Sequence, residues 1–443
     1  MDILKIALIL LLYVSTPTNS YAEIYPYTRG NQVELLEDPH ESAQQKIEFI
    51  RQAQDHIHII SFFWDDSNFA KQLADELIKA HKRGVEVRLL TSYLPSFLTD
   101  LQGDSRNRLM NYSDLHEDFL FIALKTFKQL ITTNNLHEKI FLIDAEFAIL
   151  GGRNISDSQF KGKDMEVLLR GQVVNQVQHH FHKMMNFVVD LFIEKRCNGV
   201  LSLRCEKTKK RYIPGLFKSS QKYLPRQPFY ESDVEARILT HNVLIEQWKN
   251  DYKENEDRVE IVDDIVETII STPFKKLRGY NYFIIPTPRY KNFLIQSLEE
   301  GKQIEIVTNS QTSASSVSDS GYIYALKPMI ELSKKGLDII EWRGKAPHTY
   351  LHTKVMIFDE DRAIIGSHNL GVGSTSVSNE IAVEINSPSH VARLIEIFEN
   401  DKKDTELTNQ VDTEFLKKKL QENKFMSFLL NFSPIAKTLS EFY

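Results

Sequence analysis

Two segments of the 443-residue chain carry the same set of residues suited to phosphate chemistry. The segments match at four positions, each separated by 215 residues: His137, Lys139, Asp144 and Asn154 in the first, and His352, Lys354, Asp359 and Asn369 in the second. Four matched positions at one offset predict two copies of a single unit. A repeat of this length is the size of a domain, so we expect a pseudo-symmetric pair of domains.

The histidine and lysine of each segment are spaced to act on one bound anion. Side chains at positions i and i+2 of a strand share a face, so each pair points in one direction. A neutral imidazole can attack a phosphodiester phosphorus while a protonated imidazole donates to the departing alkoxide. Lysine and asparagine side chains can stabilise the non-bridging oxygens. The pattern predicts an enzyme that cleaves or transfers phosphodiesters and needs no metal and no cofactor.

The remaining motif residues complete each segment. Asp144 and Asp359 end the apolar runs that follow the histidines, with opposite strand parity, so we expect them to bind turn amides. The Gly-Gly pair at 151–152 and the Gly-Ser pair at 366–367 allow backbone turns that return the asparagines to the site.

The elements around the motifs alternate between strand and helix. Residues 57–63 and 85–90 are apolar runs of strand length, and residues 69–80 carry apolar side chains at helical spacing up to Gly84. This alternation predicts the α/β class, with helices packed on a sheet.

Composition excludes several classes of protein. The chain has 54 Lys and Arg residues against 60 Asp and Glu residues, a formal net charge of −6. This balance lacks the positive field of a general nucleic-acid binder, so we do not expect nucleic acid as a partner. A charged fraction of 26% excludes collagen-like and wholly disordered chains.

The doubled pattern His-x-Lys-x4-Asp-x6-Gly-Gly/Ser-x-Asn resembles that of the phospholipase D superfamily, in particular the branch of bacterial cardiolipin synthases and related phospholipase D-like proteins. The resemblance covers residues 31–395. It implies two pseudo-symmetric α/β/α domains with the active site at their interface. It also implies a nucleophile at His137, a general acid at His352, and phosphate binding by four residues: Lys139, Lys354, Asn154 and Asn369.

In this family a carboxylate further along each half orients a histidine. Glu380 fits this role in the second half, which pairs it with His352. In the first half Asp164 fits this role, and Glu166, which lies on the same strand face, is the alternative. One of these two carboxylates is therefore expected to orient His137.

The resemblance implies a phospholipase D or phosphatidyltransferase that acts on phospholipids at a membrane surface through a phosphohistidine intermediate. The alternatives are a secreted or periplasmic nuclease of the same superfamily and a catalytically silent lipid-binding protein. The charge of −6 disfavours the first alternative and two intact motifs disfavour the second. The Arg-Ser pair that often follows the second motif in the family is Gly373-Ser374 here, which weakens assignment to one lipid. No obligate protein partner is evident.

We expect five segments along the chain: a signal peptide at 1–22, an N-terminal phospholipase D-like domain at 31–205, a basic linker at 206–230, a C-terminal phospholipase D-like domain at 231–400 and an amphipathic tail at 401–443. The apolar run at 6–14 is typical of a signal peptide and short for a membrane span, so we expect export to the periplasm or beyond. An uncleaved membrane anchor is the alternative. After export Cys197 and Cys205 can form a disulfide, whereas a reducing compartment would leave two free thiols.

Three further features have open interpretations. Residues 206–226 contain seven basic residues and one acidic residue, which suggests contact with anionic lipid headgroups or with a nucleic-acid backbone, or else a solvated linker. For the tail we favour packing on the catalytic body over an interfacial membrane helix. For His179, His180 and His182 we favour a solvated helix face over a metal site, because no carboxylate or cysteine completes one.

Overall fold

The computed structural model describes residues 25–92, 119–122, 135–197, 232, 234–243, 263–313, 319–344, 349–425 and 427. The expected signal peptide, the basic linker with its proposed headgroup contacts, Cys205 and residues 428–443 of the tail lie outside these ranges.

The first half alternates strands and helices. Its strands are β1 (Asn31–Leu36), β2 (His56–Ser61), β3 (Glu86–Ser92), β4 (Phe119–Ile122), β5 (Asn135–Leu136), β6 (Ile140–Ile143), β7 (Phe147–Gly151) and β8 (Glu166–Gly171). Its helices are α1 (Pro39–Gln52), α2 (Asn68–Lys82) and α3 (Val173–Cys197), with a 3₁₀ turn at Asp157–Lys161. The strands and the helix expected between residues 57 and 90 are confirmed.

The second half repeats this arrangement and extends it. Its strands are β9 (Glu235–Asn242), β10 (Lys276–Tyr280), β11 (Gln303–Asn309), β12 (Asp338–Trp342), β13 (Val355–Phe358), β14 (Arg362–Gly366), β15 (Ser378–Asn386) and β16 (Thr408–Val411). Its helices are α4 (Asp264–Ser271), α5 (Pro288–Glu299), α6 (Asp319–Lys334), α7 (Val372–Val377), α8 (Pro388–Lys403) and α9 (Thr413–Glu422).

The two sheets have the same strand order. The first sheet runs β1-β8-β7-β6-β2-β3-β4, and the second runs β9-β15-β14-β13-β10-β11-β12 with β16 added beyond β12. Each strand of the first sheet therefore has one counterpart in the second. The expected α/β class and the duplication are confirmed.

Helix ends follow local chemistry. The Asp38 side chain accepts hydrogen bonds from the first backbone amides of α1, and Ser67 does the same for α2, which satisfies donors that a helix leaves free. The strands β2, β6 and β13 are buried along their whole length, as an apolar run between two layers requires.

One apolar core joins the two halves. It contains Leu150 and Val167 from the first sheet together with Ile365 and Val383 from the second, all of them fully buried. The strands β14 and β15 pack against β7. Burial of this shared surface fixes how the halves lie relative to each other, because exposing it would cost hydrophobic free energy.

The strand β5 crosses from its own half to the other. It pairs in parallel with β15, where Leu136 lies opposite Asn379. A reciprocal bridge pairs Leu351 of the second half with Lys163 of the first. The residues just before each motif histidine therefore pair with the opposite half.

The C-terminal region extends the second half. The boundary expected at residue 400 lies inside α8, and β16 pairs with β12, so residues 401–411 belong to the domain and not to a tail. Helix α9 packs on the body through buried Leu416, in agreement with the favoured interpretation of the tail, and Phe425 beyond it is 73% exposed. None of the described helices is long and apolar enough to cross a membrane.

Asp144 and Asp359 are bound to backbone amides outside the reactive centre. Asp144 accepts from the N–H groups of Gln54, Asp55 and His56 at 2.8 to 2.9 Å. Asp359 accepts from Lys275 N and Lys276 N at 3.0 and 2.8 Å. The motif aspartates thus anchor the starts of β2 and β10, the strands that pair with the motif strands β6 and β13, as their parity predicted. Their place in the motif groups them with the catalytic residues, and the structure corrects this.

We expect Asp144→Ala to lower stability without changing the chemical step. The substitution leaves three amides without their acceptor, which costs about 1 to 3 kcal/mol. Thermal unfolding should show a lower Tm, while kcat of the folded protein stays close to that of the unchanged protein. Asp359→Ala is the matched variant in the other half. An unchanged Tm with a large loss of kcat would instead place these aspartates in the reaction.

Candidate active site

The surroundings of His137 come from the second half of the chain. Its main-chain N–H donates to the carbonyl oxygen of Asn379 at 3.0 Å. Its Nδ1 lies 2.8 and 2.9 Å from the two carboxylate oxygens of Glu380. The Glu380 carboxylate is fully buried and accepts a further hydrogen bond from Ser367 Oγ at 2.5 Å. These contacts orient the imidazole and leave Nε2 as the ring atom available for chemistry.

His352 has the reciprocal environment. Its main-chain N–H donates to the carbonyl oxygen of Lys163 at 2.7 Å. Its Nδ1 lies 2.7 Å from a carboxylate oxygen of Asp164, whose other oxygen accepts from Met165 N at 2.8 Å. Each imidazole therefore donates from Nδ1 to a buried carboxylate, which selects the tautomer with a free Nε2.

The carboxylates are exchanged between the halves. The pairs expected from the sequence, Glu380 with His352 and Asp164 with His137, are wrong. The structure pairs Glu380 with His137 and Asp164 with His352.

The cause is the crossing of the histidine segments. The strand β5 lies beside Asn379, the residue before Glu380, and Leu351 lies beside Lys163, the residue before Asp164. The order of residues along the chain suggests that each carboxylate orients the histidine of its own half. Strand pairing instead places each histidine beside the carboxylate of the opposite half.

The rival carboxylate Glu166 has a structural role. It accepts from Lys46 Nζ at 2.6 Å, from Ser42 Oγ, and from Arg153 at 3.3 Å, with all these groups buried. A buried carboxylate paired with two cations holds α1 against β8 and is not free to orient a histidine.

The strand register explains why Asp164 takes the catalytic position. Glu166 pairs with Gly151 in the first half, and Ala382 pairs with Gly366 in the second. Asp164 and Glu380 thus each lie two residues before the residue that faces a motif glycine. The counterpart of Glu166 in the second half is Ala382, which cannot orient a histidine. The orienting role that both halves share therefore belongs to Asp164 and Glu380.

Lys139 and Lys354 are buried side chains, 4% and 5% exposed. Each Nζ donates to the carbonyl oxygen of its own motif histidine, at 2.5 Å for Lys139 and 2.6 Å for Lys354. Burial lowers the pKa of Lys139 to about 7 and that of Lys354 to about 8, and the Glu380 and Asp164 carboxylates oppose this shift. A bound phosphate anion would supply the counter-charge that these ammonium groups lack.

Burial also lowers the pKa of both histidines. The pKa of His137 falls to about 4 and that of His352 to about 4, with Glu380 and Asp164 respectively opposing the change and the lysines adding to it. Both rings are neutral at pH 7 in the free protein, which suits a nucleophile. The negative charge of a bound phosphodiester raises the pKa of a nearby imidazole, which suits a general acid.

The motif asparagines offer amides to a ligand. Oδ1 of Asn154 and Oδ1 of Asn369 are buried and have no hydrogen-bond partner among the residues that the structure describes. Their backbone N–H groups are held by Gln159 Oε1 at 3.4 Å and by Ser374 Oγ at 3.1 Å. Ser374, from the Gly-Ser pair that replaces the family's Arg-Ser, therefore positions the second asparagine.

Sequence reasoning missed three aromatic side chains and one hydroxyl at this site. Phe62 lies edge-on to His137, Tyr282 and Tyr350 lie edge-on to His352, and Ser367 binds Glu380. The repeat supplied a signal for Ser367, which replaces Gly152 of the first motif. No spacing pattern marked the aromatic residues.

The two halves carry side chains of different size at the second residue of the glycine pair, Gly152 in the first half and Ser367 in the second. A Cβ atom at Gly152 would collide with the Asp164 carboxylate. We therefore expect Gly152→Ser to displace Asp164 from His352 and to lower kcat/KM by about 100-fold, the cost typical of a lost orienting group. Steady-state kinetics with a soluble phosphodiester tests this. The matched variant Ser367→Gly removes the hydrogen bond to Glu380 and the Oγ contacts with the backbone of Ile381 without a collision, so its loss should be about tenfold or less. Equal losses in the two variants would contradict the steric argument.

The lysine pKa values predict an alkaline decline in activity. A lysine with a pKa of about 7 or 8 loses its charge as pH rises through that value, so the affinity for an anionic diester falls. The diester keeps a constant charge, and a decline in kcat/KM above about pH 7 therefore reports the enzyme. Lys139→Arg and Lys354→Arg retain a protonated side chain and should move the decline to higher pH in a pH–rate profile. A decline that stays in place in both variants would assign it to another group.

The clustered histidines of α3 are not solvated, apart from His179. His180 is fully buried and lies 2.9 Å from Glu138, the residue between the first motif histidine and lysine, and His182 contacts Gln178 at 2.5 Å. The expected solvated face is thus wrong for two of the three residues, because α3 packs under the sheet. No group of three His, Cys, Asp or Glu residues that could hold a metal occurs in the described part of the chain.

Comparison with known proteins agrees with this geometry. A family model described as "Cardiolipin synthase, PLD-like domain" matches residues 47–185 and 265–402. The chain belongs to this family. The two matched stretches cover the two halves of the fold, and the resemblance to the phospholipase D superfamily is confirmed. The protein is a phospholipase D-like enzyme.

Individual relatives of this phospholipase D-like enzyme match most of its length. An uncharacterized protein of Helicobacter pylori (strain J99) is 24% identical over 406 residues, 81% of this chain and 77% of the relative. Cardiolipin synthase B of Shigella flexneri is 23% identical over 374 residues, 81% of this chain and 77% of the relative. The crystal structure of phosphatidylserine synthase from Haemophilus influenzae Rd KW20 shares the fold, with a TM-score of 0.63, 15% identity, and coverage of 93% of this chain and 95% of that one.

Proposed function

We propose that this protein is a metal-independent phospholipase D or phosphatidyltransferase of the cardiolipin-synthase type, acting on phospholipids through a phosphohistidine intermediate. The observation that carries the proposal is the reciprocal site: two histidines with a free Nε2, each held by a buried carboxylate of the opposite half, beside two buried lysines. Such a site offers a nucleophile, an acid and two cations to a single phosphodiester.

The first half-reaction forms a covalent bond between phosphorus and nitrogen. Nε2 of His137 attacks phosphorus with its lone pair, and the bond from phosphorus to the leaving oxygen breaks. Binding of the anionic phosphodiester raises the pKa of His352, whose Nε2 takes up a proton from solvent. The leaving oxygen keeps the electron pair of the broken bond and takes this proton from Nε2 of His352. Lys139 and Lys354 stabilise the non-bridging oxygens as their negative charge shifts.

The second half-reaction returns the enzyme to its starting state. Water or an alcohol donates its proton to Nε2 of His352 while its oxygen bonds to phosphorus. The bond from phosphorus to Nε2 of His137 breaks, and the electron pair returns to the nitrogen. Water yields phosphatidic acid and an alcohol yields a new phosphodiester.

The substrate class and the location belong to the same proposal. Relatives named as cardiolipin synthases support a phospholipid substrate at a membrane surface. The basic segment at 206–226 is suited to anionic headgroups, and the segment at 1–22 is suited to export into the periplasm or beyond.

A panel of phospholipid vesicles tests the proposal. The protein is incubated with vesicles of several headgroups and with glycerol or phosphatidylglycerol as acceptor, and products are read by mass spectrometry with and without EDTA. We expect headgroup release or exchange that EDTA does not stop. Cleavage of plasmid DNA with all vesicles intact would favour the nuclease, and vesicle binding without turnover would favour a silent lipid-binding protein.

A further inference from the structure

The two catalytic histidines have different aromatic neighbours. The ring of Phe62 lies edge-on to His137, with centroids 4.8 Å apart. On the other side, Tyr282 and Tyr350 lie edge-on to His352, at 5.8 and 5.9 Å. One histidine is thus bordered by a hydrocarbon ring and the other by two phenols.

Strand register shows that Phe62 and Tyr282 occupy equivalent positions in the two halves, so the pseudo-symmetry is broken at this position. Ile60 pairs with Ile140, and Tyr280 pairs with Val355, which lies at the repeat offset from Ile140. The aromatic residue two positions later is Phe62 in the first half and Tyr282 in the second. The halves therefore share the ring and differ by a hydroxyl.

Asn309 fixes the two tyrosine segments to each other. Its Nδ2 donates to the carbonyl oxygens of Tyr282 at 3.0 Å and of Leu351 at 2.8 Å, and its Oδ1 accepts from Leu351 N at 2.8 Å. Leu351 lies between Tyr350 and His352 in the chain. One fully buried side chain thus sets the position of both phenols relative to the histidine.

The Tyr350 hydroxyl is held across the domain interface. It accepts from Gln159 Nε2 at 2.9 Å and donates to the carbonyl oxygen of Ser158 at 3.4 Å. Gln159 Oε1 in turn accepts from the backbone N–H of Asn154. Burial and the Asp164 carboxylate raise the pKa of Tyr350, so its hydroxyl remains protonated. Its donor contact with Ser158 is long, and the oxygen of an entering alcohol can replace Ser158 as the acceptor.

The proposed function gives these tyrosines a task. The leaving oxygen takes its proton from His352, so the headgroup alcohol departs on the side that Tyr282 and Tyr350 border. By microscopic reversibility an acceptor alcohol enters on the same side. We propose that Tyr282 and Tyr350 form the alcohol subsite and set the ratio of transfer to hydrolysis, an inference that rests on the proposed function.

The chemical step needs no further reactant. The phenols hold a second hydroxyl of the polyol by hydrogen bonds while the proton of the reacting hydroxyl moves to Nε2 of His352 and the reacting oxygen bonds to phosphorus. Water reacts at the same position but has no second hydroxyl for the subsite to hold, so the phenols favour a polyol over water.

The test measures how the intermediate divides between two products. Vesicles of phosphatidylglycerol, or of another lipid that the panel shows to be cleaved, are incubated with isotope-labelled glycerol. Mass spectrometry then measures labelled phosphatidylglycerol against phosphatidic acid. Because both products arise from one intermediate, their ratio does not depend on the rate of its formation.

We expect Tyr282→Phe and Tyr350→Phe each to lower this ratio by about fivefold, the value of one hydrogen bond to a neutral group. Phe62→Tyr, the matched variant that adds a hydroxyl on the opposite side, should leave the ratio unchanged. Thermal melts confirm that the conservative variants are folded.

Two results would overturn the inference while the proposed function stands: wild-type ratios in both phenylalanine variants, or an equal change in Phe62→Tyr. If the unchanged protein makes neither product from any lipid of the panel, the proposed function fails and takes the inference with it. That failure is visible before any variant is measured.

Discussion

His137→Ala and His352→Ala are each expected to lower kcat/KM for a phosphodiester with an alkyl leaving group by at least about 1000-fold. The first substitution removes the nucleophile and the second removes the proton that the leaving alkoxide needs. The two changes act on one step, so the double variant should be little worse than either single variant.

A nitrophenyl diester separates the two roles. Nitrophenolate leaves without a proton, so His352→Ala should still form the covalent intermediate and release about one equivalent of nitrophenol per active site as a burst. Turnover then stalls because no base activates water. His137→Ala should show no burst. His179→Ala, which changes an exposed histidine, serves as the control and should behave as the unchanged protein. A burst in His137→Ala and none in His352→Ala would reverse the assignment.

The crossed carboxylates yield the second large effect. Glu380→Gln should lower kcat/KM by about 100-fold or more with both alkyl and nitrophenyl substrates, because its carboxylate orients the neutral nucleophile His137 and raises the basicity of the ring. Asp164→Asn should resemble the loss of the acid: a large defect with an alkyl leaving group and a retained burst with nitrophenol. The contacts thus predict that loss of Glu380 resembles loss of the nucleophile and that loss of Asp164 resembles loss of the acid. The order of residues along the chain would predict the reverse.

Glu166→Gln is the control for this comparison. Glu166 lies two residues from Asp164 but binds Lys46 and Arg153, so its substitution should lower Tm without the kinetic signature of either histidine. Retention of the nitrophenol burst in Glu380→Gln, together with its loss in Asp164→Asn, would refute the crossed assignment.

Much of the fold follows from local pattern. The run at residues 57–63 predicts the buried strand β2, which spans His56–Ser61, because its apolar content is continuous. The helix that follows has one apolar face up to Gly84. The expected parity of Asp144 also holds, since alternation of side chains along a strand is a local property. Features that depend on what packs against an element were harder to predict from the sequence. His180 and His182 have the sequence pattern of a solvated helix face but lie buried under the sheet.

The repeat shows how far sequence reasoning reaches into the site. The constant offset identified both histidines, both lysines and both asparagines, because each motif is a contiguous piece of chain whose chemistry is carried by residue type. Asp164 and Glu380 were identified as carboxylates of the right kind, yet their partners were exchanged.

The sequence by itself determined the duplication, the α/β class and the residue types that handle phosphate, since all three are encoded in spacing along the chain. Only the tertiary structure decided which carboxylate serves which histidine and which aromatic rings border each one. The physical reason is that strand pairing and the shared core bring together residues such as His137 and Glu380, which are far apart in the sequence and whose contact no local pattern encodes.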